Sequence, residues 1–332
     1  VKAQVLSRQA PIATRPLTLV DAPDPVPEPR DVVVRVTACG VCRTDLHVIE
    51  GDLAPHRLPL VPGHQVVGRV ESVGSDASRF ALGDRVGIAW LRATCGGCAF
   101  CRSGRENLCE SSRYTGWDAD GGYAERAAVD EAFAYAIPDE IEDVAAAPLL
   151  CAGIIGYRAL ARSRIAPGAR LGLYGFGSSA HLVAQLARHR GCDVYVATRN
   201  AAHRRLAEEL GAVWTGGTHD TPPAPLDAAI VFAPVGEAVP PALAALGAGG
   251  TVAVAGIHMS DIPSMPYGAC LFREKSLTSV TSNTRDDGEA LLEEACAARL
   301  APRVTTFALS EANDALAAVA GDRVAGTAVL IP

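Results

Sequence analysis

The stretch LYGFGSSAHLVAQLA, residues 173–187, decides the fold. It follows directly on an apolar strand pattern, RLGLYG (170–175), and places Gly175, Gly177 and Ala180 in a G-x-G-x-x-A turn that opens a helical pattern. A dinucleotide pyrophosphate needs that order of strand, turn and helix. The first glycine makes the tight turn, the second lets the backbone approach the phosphates, the small third residue packs helix on strand, and the helix's first N–H groups face the anion. Gly175, Gly177, Ser178 and Ser179 are therefore the expected cofactor loop.

Working outward, strand and helix patterns alternate through DVYVAT (193–198), AAHRRLAEELG (201–211), LDAAIVFAP (226–234), an alanine-rich helix, GTVAVAG (250–256) and LTSVTS (277–282). Such alternation predicts βαβ units and a doubly wound parallel sheet, set over residues 152–284. The second strand ends in Thr198, Arg199 and Asn200, where a binder of NAD would carry an acidic residue for the ribose 2′-hydroxyl. A hydroxyl beside a guanidinium suits a 2′-phosphate, so NADP is favoured over NAD.

The half before residue 152 has a different texture. Short β-rich runs, DVVVRV (31–36) and QVVGRVESVG (65–74), alternate with Pro/Gly punctuation such as DAPDPVPEPR (21–30) and LPLVPGH (58–64), which predicts a β-dominated domain. A length of 332 residues already favours two domains over one core. With 49% hydrophobic and 20% charged residues, the chain can bury a core and is not disordered. A formal charge of −7 argues against nonspecific nucleic-acid binding. The uncharged run from Ala238 to Ile257 is broken by Pro240, Pro241 and the glycines of GAGG, so no membrane span is expected there. VKAQVLSRQA lacks the plan of a signal peptide, and ten cysteines without such a signal point to reduced thiols used for metal or catalysis. A cytoplasmic protein is the expectation.

CGGCAFCRSGRENLC places Cys95, Cys98, Cys101 and Cys109 in a short loop, enough thiolates to close a tetrahedral structural zinc site with no open corner. An iron–sulfur cluster would call for a different last gap and a following proline, where Glu110 stands. A zinc ribbon that binds nucleic acid is suggested by Arg92, Arg102, Arg105 and Arg113, and opposed by Glu106, Glu110 and the overall acidity. The second cysteine-bearing stretch, ACGVCRTDLH (38–47), is ambiguous by itself among half a zinc finger, a thiol redox pair and one side of an active site. A catalytic zinc takes three protein ligands, for which Cys39, Cys42, His47, His56, His64 and Cys151 are all candidates.

GVCRTDLH, PGHQ, GDRVG, the four-Cys loop, LLCAG and GFGSSAH occur in the order found in zinc-dependent alcohol dehydrogenases of the medium-chain dehydrogenase/reductase family, which the chain resembles over nearly its whole length. The resemblance implies a GroES-like catalytic domain formed by 1–151 and 285–332 and a Rossmann domain at 152–284. It implies two zinc ions per chain, with Cys42, His64 and Cys151 on the catalytic one. Thr44 would accept the substrate proton and His47 deliver it to solvent, Asp45 would orient a zinc-bound imidazole, and Arg43 would meet the pyrophosphate. Cys39, Cys192, Cys270 and Cys296 are then expected as small buried hydrophobes.

Three positions depart from the family pattern. Gln65 stands where a glutamate is usual, Thr327 where many relatives carry a phosphate-binding arginine, and Leu53 where small-alcohol enzymes carry tryptophan. With Trp90 and Trp117 as walls, Leu53 suggests a pocket for medium-length or aromatic primary alcohols and aldehydes. The expected assembly is a homodimer or homotetramer, with neither nucleic acid nor membrane as partner. Polyol or secondary-alcohol oxidation, and a zinc-containing NADP sensor without turnover, are the competing readings.

Overall fold

The computed structural model describes residues 1–324 and 326–332, and the chain divides into two compact units. One comprises Val1–Cys151, Ser282–Cys296 and Pro302–Pro332; the other comprises Ala152–Thr281 and Ala297–Ala301.

The first unit is built on β1 (Asp31–Val41), whose valine-rich sequence is buried along almost its whole length. Such a run cannot sit at a solvated edge, and β1 is central. It pairs antiparallel with β2 (Val66–Val73), with Arg126–Asp130 and with Thr327–Ile331, the last of which pairs parallel with Val304–Ala308. Arg85–Ile88 and Ala134–Ala136 complete the sheet beyond β2. Val32, Val34, Val66, Val70, Val86 and Ile88 are among the buried side chains that form its core. Chain reversal after β1 is immediate, because α1 (Arg43–Glu50) begins two residues after the strand ends.

The second unit is a six-stranded, wholly parallel sheet, ordered Trp214–Gly216, β4 (Asp193–Ala197), β3 (Arg170–Tyr174), Leu226–Val231, Leu246–Val254, Ser276–Ser279. In sequence order this is 3-2-1-4-5-6, the doubly wound order in which ligands bind beyond the carboxyl ends of the strands, at the switch between the first and fourth. The glycine turn follows the first strand and leads into α2 (Ser178–His189); β4 leads into α3 (Ala201–Glu209). The expected β-rich half and doubly wound half are both present. Trp214–Gly216 was not foreseen, since three residues carry no period.

The helical run Asp143–Ser163 is long and apolar enough by composition to cross a membrane, but most of it is buried within the protein, as in a core helix. It contains one π-helical turn, Leu149–Gly153, with Cys151 at its centre. Such wide turns often mark functional sites because they redirect one side chain.

Candidate active site

Cys42, His64 and Cys151 converge, with their ligand atoms all within 4.8 Å of one another. Each comes from a different kind of local structure. Cys42 is the extended residue that caps α1: its sulfur accepts the Thr44 N–H at 3.3 Å, while the Asp45 carboxylate accepts the Cys42 N–H at 2.9 Å. That reciprocal cap fixes the direction of the thiol. His64 ends the PGH turn, fully buried, and Cys151 sits on the π-helical turn.

The donor set fits zinc. Zinc–sulfur and zinc–nitrogen bonds of about 2.3 and 2.05 Å at a tetrahedral angle put sulfur and nitrogen about 3.6 Å apart, and Cys42 Sγ lies 3.4 Å from His64 Nε2. Asp45 receives His64 Nδ1 at 2.9 Å, which leaves Nε2 aimed at the thiols. Burial alone would lower the His64 pKa, but Asp45 and Cys42 outweigh it and push it up to about 10. A hydrogen bond from Cys151, and the positive field of His64 against the cost of burial, hold Cys42 well below the ordinary thiol range. An environment that gathers this much negative charge around Nε2 is one that favours a cation there.

Tyr123 belongs to this network and was missed by sequence reasoning. Its hydroxyl donates to Asp45 Oδ2 at 3.0 Å, and its ring, wholly buried, lies against Gly63. Gly63 has φ +96°, and a Cβ there would fall 2.3 Å from the Tyr123 ring, so both backbone and space demand glycine before His64. The GGY segment is tied to the PGH turn by N–H bonds from Gly121 to Val61, Gly122 to Gly63 and Tyr123 to Pro62.

The second cluster is Cys95, Cys98, Cys101 and Cys109, again within 4.8 Å of one another. Tetrahedral zinc with four sulfurs at about 2.3 Å requires sulfur pairs about 3.8 Å apart; the contacts are 3.5, 3.6 and 3.9 Å. Backbone N–H groups of Cys95, Cys98 and Cys101 point at sulfurs at 3.3 to 3.5 Å, which stabilises thiolates. Cys95, the exposed member, is held down to about 6, first by the Gly97 N–H and then by that of Cys98.

The glycine turn in the second unit forms a cradle. Gly175 has φ +86°, and a Cβ on it would meet the Ala233 backbone nitrogen at 2.8 Å. A Cβ on Gly177 would meet nothing within 4 Å, and Gly177, the residue before α2, supplies no side-chain cap to it. Open space beside the start of an uncapped helix is compatible with a pyrophosphate.

Residues 28–139 match the family model of the alcohol dehydrogenase GroES-like domain, and 180–297 that of the zinc-binding dehydrogenases. The chain is 52% identical, over its full length and 97% of the relative's, to "Probable alcohol dehydrogenase AdhA" of Mycobacterium tuberculosis (strain CDC 1551 / Oshkosh). It belongs to the zinc-dependent alcohol dehydrogenases of the medium-chain dehydrogenase/reductase family. Cinnamyl alcohol dehydrogenase from Sorghum bicolor has the same fold, with a TM-score of 0.90 at 28% identity over 99% of this chain and 97% of the other. A Sinorhizobium meliloti 1021 structure bound to NADP has a TM-score of 0.89 at 29% identity, over 100% and 99%.

An aromatic wall adjoins His64 in this alcohol dehydrogenase. Trp90, 8% exposed, meets the His64 ring edge-on with centroids 5.0 Å apart. Tyr114 stacks on Trp90 at 4.9 Å and on Trp117 at 5.7 Å, and Trp117 in turn stacks on His56 at 4.2 Å. Leu53 packs against the Val48, Leu60 and Trp90 cluster. Tyr114 and His56 were not expected in it; the sequence signalled only the tryptophans.

Thr44 and His47 lie one turn apart on α1, and the Thr44 side chain is hydrogen-bonded to Cys42. Arg43 is paired with Asp322 at 2.6 Å. Thr198 is buried, Arg199 is exposed, and Arg204 of α3, unforeseen, reaches the Thr198 carbonyl at 3.4 Å. Cys39, Cys192 and Cys270 are buried as expected; Cys296 is corrected to a half-buried position.

Proposed function

We propose that this dehydrogenase interconverts primary alcohols and aldehydes, with NADP(H) favoured over NAD(H), on a catalytic zinc held by Cys42, His64 and Cys151. The observation that carries the reading is the three-ligand convergence with Asp45 behind His64, because three protein donors leave a fourth corner for substrate. Cys95, Cys98, Cys101 and Cys109 would hold a second, structural zinc, with all four corners taken.

Bound zinc would supply Lewis acidity at the substrate oxygen, and the bound nicotinamide would give or take the hydride. The chain's residues do the rest. Asp45 keeps the His64 proton on Nδ1, and Tyr123 and the Cys42 N–H hold Asp45 in turn. Thr44 takes the alcohol proton and passes its own toward His47. Gly175, Gly177, Ser178 and Ser179 receive the pyrophosphate, and Arg43, paired here with Asp322, is the first unit's candidate for a cofactor contact. Thr198 and Arg199, with Arg204 nearby, favour a 2′-phosphate, in keeping with the NADP-bound Sinorhizobium structure.

Leu53, Trp90 and Trp117 line the substrate side. A flat aromatic wall beside the metal ligands favours planar side chains, in keeping with the sorghum enzyme's name. Ten free cysteines suit the reducing cytoplasm. The edge strand Ser276–Ser279, with exposed Tyr267 and Phe272 shortly before it, favours a homo-oligomer.

The test is a panel of primary and secondary alcohols and aldehydes, assayed with both cofactors alongside zinc analysis. Two zinc ions per chain and aldehyde-dependent NADPH oxidation are expected, with aromatic aldehydes among the best substrates. One zinc and no turnover on any aldehyde overturns the reading. Arg199→Ala should lower the preference for NADPH over NADH; an unchanged ratio removes Arg199 from the cofactor site.

A further inference from the structure

We infer that Asp118 is a positioning residue for the substrate wall: its carboxylate joins two loops of the first unit and sets the planes of the rings that select aromatic alcohols and aldehydes. The inference rests on the aromatic-substrate reading proposed above and names the group that fixes the wall's geometry. Asp118 acts through Tyr114 and His56, one on each loop.

Its two oxygens have separate tasks. Oδ2 accepts the Tyr114 N–H at 2.7 Å, and the Asp118 N–H returns to the Tyr114 carbonyl at 2.9 Å, which closes residues 114–118 into a tight turn. Oδ1 meets Nδ1 of His56, on the loop that follows α1. A carboxylate accepts only, so the imidazole carries a proton on Nδ1 and its plane is held over Trp117, with centroids 4.2 Å apart and planes 24° apart. The Trp117 indole N–H reaches back to the Ala54 carbonyl at 2.9 Å, so each loop holds a ring of the other.

The rings form a strip that runs from solvent to a buried histidine. The His56 side chain is 52% exposed, Trp117 is half-buried, Trp90 is buried, and His64 is wholly enclosed. Trp117 and Trp90 are nearly parallel, 8° apart with centroids at 5.9 Å, and the Trp90 carbonyl accepts the Thr115 N–H at 2.9 Å. Asp120 fastens the same loops, but its partners are the Val61 N–H at 2.9 Å and the Arg57 guanidinium at 3.3 Å rather than a ring. Setting the rings is therefore the task of Asp118. Attraction between rings depends on the offset and tilt of their planes, so a wall that tilts loses planar side chains, whereas a flexible alkyl chain adapts to it.

The experiment compares zinc-loaded wild type, Asp118→Ala, Asp118→Asn and His56→Ala, with NADPH as cofactor. It reads KM and kcat for benzaldehyde and for hexanal, and the near-UV circular dichroism of the tryptophans. Asp118→Ala should raise the benzaldehyde KM about 2- to 10-fold, the loss of one well-oriented ring contact, with kcat and the hexanal KM within about twofold. The near-UV signal should fall while the far-UV signal stays. Asp118→Asn can still accept from Tyr114 and can donate to the other tautomer of His56, so it should restore most of the KM and of the signal. His56→Ala, at an exposed position, should raise the benzaldehyde KM in the same way, and it carries the test if Asp118→Ala does not fold. A wild type with no preference for benzaldehyde over hexanal overturns the aromatic-substrate reading, and this inference with it. A preference present in wild type and unchanged in the folded variants overturns the role of Asp118 alone, as does a rise of both KM values by the same factor.

Discussion

Gly175 and Gly177 share one turn, yet alanine should act on them in opposite ways. At Gly175 the backbone sits at φ +86°, which costs an L-residue about 1–2 kcal/mol. The new Cβ would also lie 2.8 Å from the Ala233 nitrogen and 3.1 Å from its Cα, so backbone must move, at about 1–3 kcal/mol more. The total of about 2–5 kcal/mol corresponds to a melting-temperature loss of roughly 6–15 °C for a unit of this size. At Gly177 nothing lies within 4 Å of the Cβ, so stability should change by less than about 1 kcal/mol. If the proposed cofactor loop is right, that methyl instead intrudes where the pyrophosphate backbone contact is made. Loss of one charge-assisted hydrogen bond, about 1.5–3 kcal/mol, weakens cofactor binding roughly 10- to 100-fold. Thermal melting and NADPH fluorescence titration on both variants separate the two effects. If Gly177→Ala binds NADPH and NADH as tightly as wild type, the cradle is not where the phosphates sit, and the reasoning fails.

Three other expectations follow from the first unit. Tyr123→Phe removes a donor from the buried Asp45 and should weaken zinc retention at the three-ligand site about 10-fold, read by competition with a chelator; unchanged retention would show that the Cys42 N–H and His64 suffice to hold Asp45. Cys95→Ser should reduce the zinc content from two per chain to one and lower the melting temperature by at least about 5 °C, while turnover per remaining zinc stays within about twofold; loss of both zincs would contradict two independent sites. Burial works to raise Glu106, but the Arg285 N–H and guanidinium, each at 3.0 Å, outweigh it, so its folded pKa lies below the ordinary value. Its stabilisation is present above the unfolded pKa and lost as pH falls through the folded one. Glu106→Gln should therefore destabilise at pH 7 by about 1–2 kcal/mol, with the difference fading only as the pH falls through the lowered folded pKa, as denaturant titrations across the acid range would show.

The second unit was legible because its signals are local: a strand, two glycines and a helix lie within twenty residues, and each later strand repeats the pattern. The first unit was legible only as β-rich. Its sheet joins β1 to Val304–Ala308 through Thr327–Ile331, a pairing across most of the chain that no local pattern encodes. The same contrast divides the two candidate metal-ligand clusters. Four cysteines in one loop announce themselves, whereas Cys42, His64 and Cys151 had to be chosen from six candidates by resemblance, because a strand end, a turn and a π-helical turn bring them together. Tyr123 gave no signal at all: a tyrosine after two glycines reads as core until its hydroxyl is seen on Asp45.

Gln65 is where folding and chemistry pull apart. It is wholly buried beside His64, and neither polar atom of its amide has a partner among the described residues, a cost of about 1–3 kcal/mol for each unmet group. Room has been made for it nonetheless: a Cβ on Gly40 would lie 2.8 Å from the Gln65 Cδ and Oε1, so glycine at 40 is the complement of the amide. A glutamate would fit the same volume but add an anion to a wholly buried position adjoining His64, in an interior where burial already raises the pKa of Asp45. Glutamine keeps the size and leaves the site one unit more positive. A more positive site holds an electron-rich substrate oxygen more strongly and gives up its ligands less readily. The unmet amide is then a stability cost borne beside the proposed metal ligand His64, and Gln65→Glu should change turnover or zinc retention; if it changes neither, the position is neutral.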